Sequence, residues 1–284
     1  MRLLQIREEV ETAIRLEKLE SLRPHEKTDP KVVEQLAHKI EIDGIQKDPI
    51  IVDRDSNVVL DGMHRLAALK KLSCTNTLCY FVPYKHVEVD RWYRLFVSNQ
   101  TVPAISMIES MQRLDKFDIE YTDDPQEATK FINESKAAGA LITKEKSILI
   151  KNKEAVKDLV DIYNHLRFIE LLFIFHFGIR IKFASKIEIE GKDVIGVLVP
   201  PKLSCKDVII AAKSKILFPL KSTRHIPKIR PLSVNLPISF LRDKEIQEKN
   251  KELKTFLHQK KIQLFPRGME INGRAYEEAI LQYK

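Results

Sequence analysis

Cysteine is scarce and unpaired in this chain: Cys74, Cys79 and Cys205 are the only three, and no two stand in a C-x-x-C spacing. An odd set without that spacing argues against a zinc knuckle or a disulfide framework, so a reducing cytoplasm is the expected setting. A signal-peptide core is missing as well, because Arg2, Arg7, Glu8 and Glu9 bring charge in too early. Long apolar runs are absent. The most apolar stretch, Leu166 to Ile179, is too short to span a bilayer and carries Arg167, Glu170 and His176, so it reads as a buried helix or a strand pair. There is no internal repeat and no low-complexity tract. The phosphate loops G-x-x-x-x-G-K-[ST] and G-x-G-x-x-G are absent, as are the H-R-D…D-F-G set and H-E-x-x-H. The common nucleotide-binding folds are therefore poor candidates.

What is present points to a charged protein with real cores. The chain has 284 residues, which favours two domains, and 44% of them are hydrophobic and 31% charged. The formal net charge of +8 favours anionic ligands: nucleic acid, nucleotides or phosphorylated metabolites. Asp29-Pro30 is a helix start, with Asp as cap and Pro in the first turn, and Gly44 is the matching C-terminal cap. Residues 49–53 and 58–60 read as two strands around an Asp55-Ser56-Asn57 turn, and Thr77 to Val82 as another. Further on, helices are expected from Ile105, from Asp123-Asp124-Pro125 through Ala138, over Asn152 to Arg167, after Ser204 and near 243–260. Residues 187–199 resemble a hairpin around Gly191.

Four features could carry chemistry. The stretch Val58 to Leu72 reads as strand, tight turn, helix, with Asp61, Gly62, Met63, His64 and Arg65 at the turn. The first turn of a helix has amide N–H groups without intrahelical partners and a positive potential, so this is either an anion site or a solvated surface turn. Glu26, in the irregular segment His25-Glu26-Lys27-Thr28, could accept a proton from a bound hydroxyl, or could be an ordinary loop carboxylate. Asp61 could orient a substrate or help hold a metal, or simply shape its own turn. The cluster Lys221-Ser222-Thr223-Arg224-His225, set between Pro219 and Pro227, is donor-rich and suits a phosphate or carboxylate. Trp92, the single tryptophan, either packs or walls a site.

These motifs resemble a known family. Residues 40–53 followed by Asp61-Gly62-Met63-His64-Arg65 resemble the ParB/sulfiredoxin-like fold. With His25-Glu26 and with Lys221 to His225 followed by Arg230-Pro231, they look like the archaeal free-serine kinases. The resemblance implies an α/β (α+β) protein: a nucleotide-binding domain over 1–100 and a second mixed α/β domain over 101–241 completing the active-site cleft; beyond these the composition adds a charged helical extension over 242–284. The resemblance also implies phosphorylation of free L-serine to O-phospho-L-serine, feeding cysteine biosynthesis, with ADP or ATP as donor and Mg²⁺. Glu26 would be the catalytic base. Gly62, Met63, His64 and Arg65 would bind the nucleotide phosphates, and Thr223, Arg224 and His225 the serine; the residues themselves, and not the resemblance, add Asp61 to the nucleotide-binding set and Trp92 to the substrate-binding set. No membrane is implied, and nucleic acid is not an expected partner. The rival readings are a ParB-like DNA-binding or regulatory protein, a sulfiredoxin-type enzyme, which would need a cysteine where Met63 stands, and a nucleotide-binding module without turnover. The family often has His at the position of Met63, and the segment 242–284 runs past its usual end.

Overall fold

In the computed structural model, residues 3–122, 124–134, 137–153, 155–156, 158–243, 245–271 and 273–284 are described. The fold is mixed α/β. The chain forms two compact units, one made of Met1–Glu88, Val208–Leu220 and His225–Lys284, the other of Val89–Asp207 with Lys221–Arg224.

The first unit is built on a four-stranded sheet in the order Ile14–Lys18, Asn76–Val82, Ile50–Asp53, Val59–Asp61. Its central pair is parallel and the outer pairs antiparallel. The parallel strand Asn76–Val82 is buried at every position, as expected where both faces are covered. Helix Pro30–Asp43 forms as its caps dictate: Asp29 accepts from the Lys31 amide, and Gly44 closes the helix at φ +65°. It packs against helix Met63–Lys71. The edge strand Ile14–Lys18 leaves backbone groups unpaired by any strand, and Asn250 answers both groups of Leu16 from helix Ile246–Gln259.

Residues 242–284 are part of this unit. Strand Ala279–Tyr283 runs parallel to Ile229–Leu232 and antiparallel to Ile262–Phe265. Pro231 is tolerated because its strand lies at the edge of this small sheet.

The second unit is a six-stranded antiparallel sheet in the order Arg180–Ala184, Tyr93–Val97, Val194–Val199, Gly139–Ile142, Ser147–Asn152, Phe117–Thr122. Alternation along these strands feeds two cores. Phe96, Leu141, Ile148, Ile150 and Leu198 meet helices Ala104–Gln112 and Leu159–Phe177 on one face. Leu95, Val97, Ala140, Ile142, Leu149, Val197 and Val199 meet Ala128 and Ile132 of helix Pro125–Asn133 on the other.

Several expectations are corrected here. The unit boundary falls at 88/89 rather than 100/101, because Tyr93–Val97 already pairs inside the second sheet. No boundary falls at 241/242, because strand Ala279–Tyr283 is an internal strand of the first unit. Residues 187–199 are not a hairpin. Only Val194–Val199 is a strand, and Tyr93–Val97 lies between it and Arg180–Ala184. The apolar run belongs to one helix, Leu159–Phe177, in which the buried Glu170 is paired with Arg94 and Arg167. That helix starts at the Asp158 cap and not at Asn152, which ends a strand; residues 154 and 157 of the expected helix lie outside the described ones. The helix expected through Ala138 ends at Asn133, and its residues 123, 135 and 136 are likewise outside. Residue 244, in the helix expected near 243–260, is outside as well.

Candidate active site

In the first unit, one loop runs along the turn singled out above. Residues 23 and 59 exchange backbone hydrogen bonds through Asn57 and Val59: the Arg23 amide donates to the Asn57 carbonyl and the Val59 amide to the Arg23 carbonyl. His25, wholly buried, donates from Nδ1 to the Val59 carbonyl at 2.7 Å. The backbone on either side of Glu26 is tied to Phe218, with Lys27 donating to the Phe218 carbonyl and Phe218 to that of His25, both at 2.9 Å. The Asp29 amide donates to His64 Nε2 at 3.1 Å, joining this loop to the helix start. Glu26 is thereby held by its neighbours with only 8% of its surface exposed, its Oε1 3.7 Å from His25 Nε2.

The turn is shaped by Gly62. Its φ is +105°, and a Cβ there would stand 2.9 Å from Arg65 Nη2 and 3.2 Å from Ile50 Cγ1. Only glycine lets the Arg65 guanidinium lie across the backbone. Gly62 caps helix Met63–Lys71 and has no side chain of its own to hydrogen-bond the amides of the first turn. The Met63 side chain is buried, so whatever this residue offers a ligand comes from its backbone. The turn has the same amide at this position whichever side chain the residue carries.

Asp61 accepts through Oδ2 from Arg230 at 2.7 Å and from Arg65 at 3.0 Å. Burial pushes its carboxyl pKa up, but Arg230, Arg65 and Arg274 outweigh this and hold it well below the usual carboxylate range. Arg230 also donates from Nε to Glu278 Oε1, and from Nη2 to the His225 carbonyl at 3.4 Å. Neither Glu278 nor this fork was picked out in the sequence. The two residues are 48 apart, and only the parallel pairing of their strands brings them together.

His225 is buried, with Nε2 2.6 Å from the Tyr84 hydroxyl and its ring set edge-on to His25, 5.3 Å between centroids. Burial and the neighbouring His25 pull its pKa down to about 3, against the opposing pull of Glu26 and Asp61. The ring is therefore neutral at pH 7. An unfolded His titrates near 6.5, so between about 6.5 and 3 the unfolded chain binds a proton that the folded one refuses. Stability should be unaffected above that window and fall as pH drops through it, by at most about 1.4 kcal/mol per pH unit. Thermal melts from pH 8 to 4 should show a steeper acid loss in the parent than in His225→Gln; parallel profiles would remove His225 as the cause.

The second unit gathers Trp92, Thr223 and Arg224. Arg224 Nη2 donates to Asp90 at 2.7 Å, and Lys202 Nζ lies 3.5 Å from the other oxygen of the same carboxylate. Burial raises the Asp90 pKa, but the Arg91 amide, Arg224 and Lys202 together lower it. The Trp92 ring is stacked by Lys221 at 4.9 Å and by Arg224 at 5.7 Å. Ser222 and Thr223 are buried, and Tyr163 donates to the Ser222 carbonyl at 3.2 Å, so this segment is a fixed structure and not a solvated loop.

Among the described residues no group of three or more His, Cys, Asp or Glu is gathered to hold a metal ion. Glu26 and Asp61 both act on His225 electrostatically. One or two carboxylates suit a Mg²⁺ ion that arrives on phosphates, and Asp61 offers one beside the turn, with its hydrogen bonds from Arg65 and Arg230 both on Oδ2. No helix among the described residues is long and apolar enough to cross a membrane.

No family model matches the chain. An ATP-dependent L-serine kinase of Staphylothermus marinus is 25% identical over 233 residues, covering 79% of this chain and 89% of that protein. Among solved structures, a free serine kinase variant in complex with AMP superposes with a TM-score of 0.64 at 19% identity, over 81% of this chain and 94% of that one. The chain shares the fold of the free serine kinases. It shares it also with C-terminally truncated SbnI of Staphylococcus aureus, at a TM-score of 0.69 and 16% identity over 88% and 97% of the two chains. The coverages leave this chain with segments that the serine kinases do not match.

Proposed function

We propose that this chain transfers a phosphoryl group from ADP or ATP to the hydroxyl of free L-serine, giving O-phospho-L-serine that would feed cysteine biosynthesis. The observation that carries the reading is Glu26, nearly buried, on a loop joined through the Asp29–His64 hydrogen bond to the glycine-capped start of helix Met63–Lys71. The likeness to serine kinases supports it.

In this reading Glu26 takes the proton of the serine hydroxyl as its oxygen attacks phosphorus. The amides of Met63, His64 and Arg65 receive the donor phosphates, and Arg65 adds a cation to them. Asp61 would hold a Mg²⁺ ion brought in on the donor phosphates, and such an ion would neutralise their charge. Arg224, kept in place by Asp90 and Trp92, meets the serine carboxylate or the transferred group, with Thr223 beside it. His225 is reassigned. Its ring is buried against Tyr84 and His25, so it supports the base from behind and leaves serine to its neighbours.

Incubation with L-serine, Mg²⁺ and either ADP or ATP should yield phosphoserine, with AMP formed in the first case and ADP in the second. Absence of phosphoserine with both donors would refute the proposal. The net charge of +8 suits a ParB-like DNA-binding role as well, but the likeness to serine kinases does not favour it.

A further inference from the structure

We propose that the C-terminal segment 262–283 is part of the donor-phosphate site: Glu278 fixes Arg230 and through it Asp61, and Arg274 supplies a further cation to phosphates held at Gly62–Arg65. The proposal rests on the nucleotide reading above. It extends that reading to residues beyond the segment that carries the family resemblance.

The geometry begins with strand Ala279–Tyr283, whose parallel pairing with Ile229–Leu232 sets Ile229 opposite Ala279 and Arg230 opposite Ile280. Glu278, just ahead of that strand, is thereby brought to Arg230. The two side chains are 6% and 7% exposed and hydrogen-bonded through Arg230 Nε. With Nε on Glu278, Nη1 of the same planar guanidinium reaches Asp61 at 2.7 Å. Asp61 in turn receives Arg65 at 3.0 Å, and Arg65 lies over Gly62. A carboxylate in the last turn of the sequence is thus two bonded contacts from the anion-binding turn.

Arg274 belongs to the same construction. It sits on the two-stranded ribbon Glu270–Ile271 and Arg274–Ala275, with its guanidinium 4.8 Å above the ring of Tyr276. Tyr276 is buried with Leu232 and Ile280, in the same small core that the Arg230 strand contributes to. Arg274 itself is exposed and makes no ion pair or hydrogen bond among the described residues. Arg65 and Arg230 are already matched by Asp61 and Glu278. Arg274, unlike Arg65 and Arg230, has no carboxylate partner among the described residues to share with an incoming anion, and its field already reaches Asp61. Stacking on a buried ring limits the side-chain freedom that a phosphate contact would otherwise have to restrict.

The test is calorimetric titration of ADP into the full chain and its variants. Arg274→Gln should weaken ADP binding about ten-fold or more, with an unchanged melting temperature because the residue is exposed. Arg274→Lys should recover part of the loss. Lys254→Gln, which removes an equal charge from an exposed position on helix Ile246–Gln259, should leave ADP affinity alone. Glu278→Gln, measured well below its melting temperature, should also weaken ADP. An Arg274→Gln affinity equal to that of Lys254→Gln would overturn the role of Arg274, and unchanged affinity in Glu278→Gln would overturn the relay. A parent chain that binds no ADP would overturn the nucleotide reading and this proposal with it.

Discussion

Glu26→Gln should fold and bind nucleotide as the parent does, while turnover falls by about 10² to 10⁴, the usual contribution of a positioned general base. The loop segment His25-Glu26-Lys27-Thr28 offers two side chains that could take a proton, Glu26 and His25. His25 has no exposed surface, and its Nδ1 is committed to the Val59 carbonyl, so a substrate hydroxyl cannot reach it. Glu26 retains a small exposed fraction on a backbone pinned at both neighbours to Phe218. Gln matches Glu in shape and keeps a carbonyl oxygen for local hydrogen bonds, but that oxygen is not basic. The substitution therefore removes proton acceptance and little else. Melting temperature and ADP titration should match the parent, and single-turnover phosphoserine formation should not. Retained turnover would remove Glu26 as the base; a joint loss of turnover and nucleotide affinity would mark it as a ligand of the donor instead.

Local signals carried the part of this site that is contiguous in the chain. The Asp29-Pro30 start, the Gly44 stop and the Asp61-Gly62 turn are each decided by the conformational needs of one or two residues, and the structure bears out all three. The Lys221 to His225 cluster was legible as a chemical group but not in its division of labour. Arg224 turns to Asp90, whereas His225, one residue later, turns to Tyr84, 141 positions away. The hairpin read into 187–199 failed for a related reason. Alternation marks a strand, but nothing in it tells which strand will be the neighbour, and Tyr93–Val97 took the place of the local partner. The role of the last forty residues was invisible for the same cause, since Glu278 looks like any charged residue until a parallel pairing sets it against Arg230.

That pairing also sets a large stability effect. Arg230→Leu should cost about 3–5 kcal/mol, because it strands the buried Glu278 carboxylate without a partner. For a protein of this size the melting temperature should drop by on the order of 10 °C. Desolvation has already worked against both charges in the folded state, and the attraction between them offsets it only while both are present. The double variant Arg230→Leu with Glu278→Leu should therefore be more stable than Arg230→Leu alone, although it has lost one more native side chain. Arg230→Lys should fall between, since an ammonium keeps the charge but cannot serve Glu278 and Asp61 with the fixed fork that a guanidinium offers. Asp61 would be less affected than Glu278, because its side chain is 35% exposed and still has Arg65. A single Arg230→Leu variant melting within about 2 °C of the parent, a shift worth about 1 kcal/mol or less, would show that water reaches Glu278 and that the pair holds nothing together. A double variant less stable than the single would show that Glu278 has a second partner strong enough to replace Arg230.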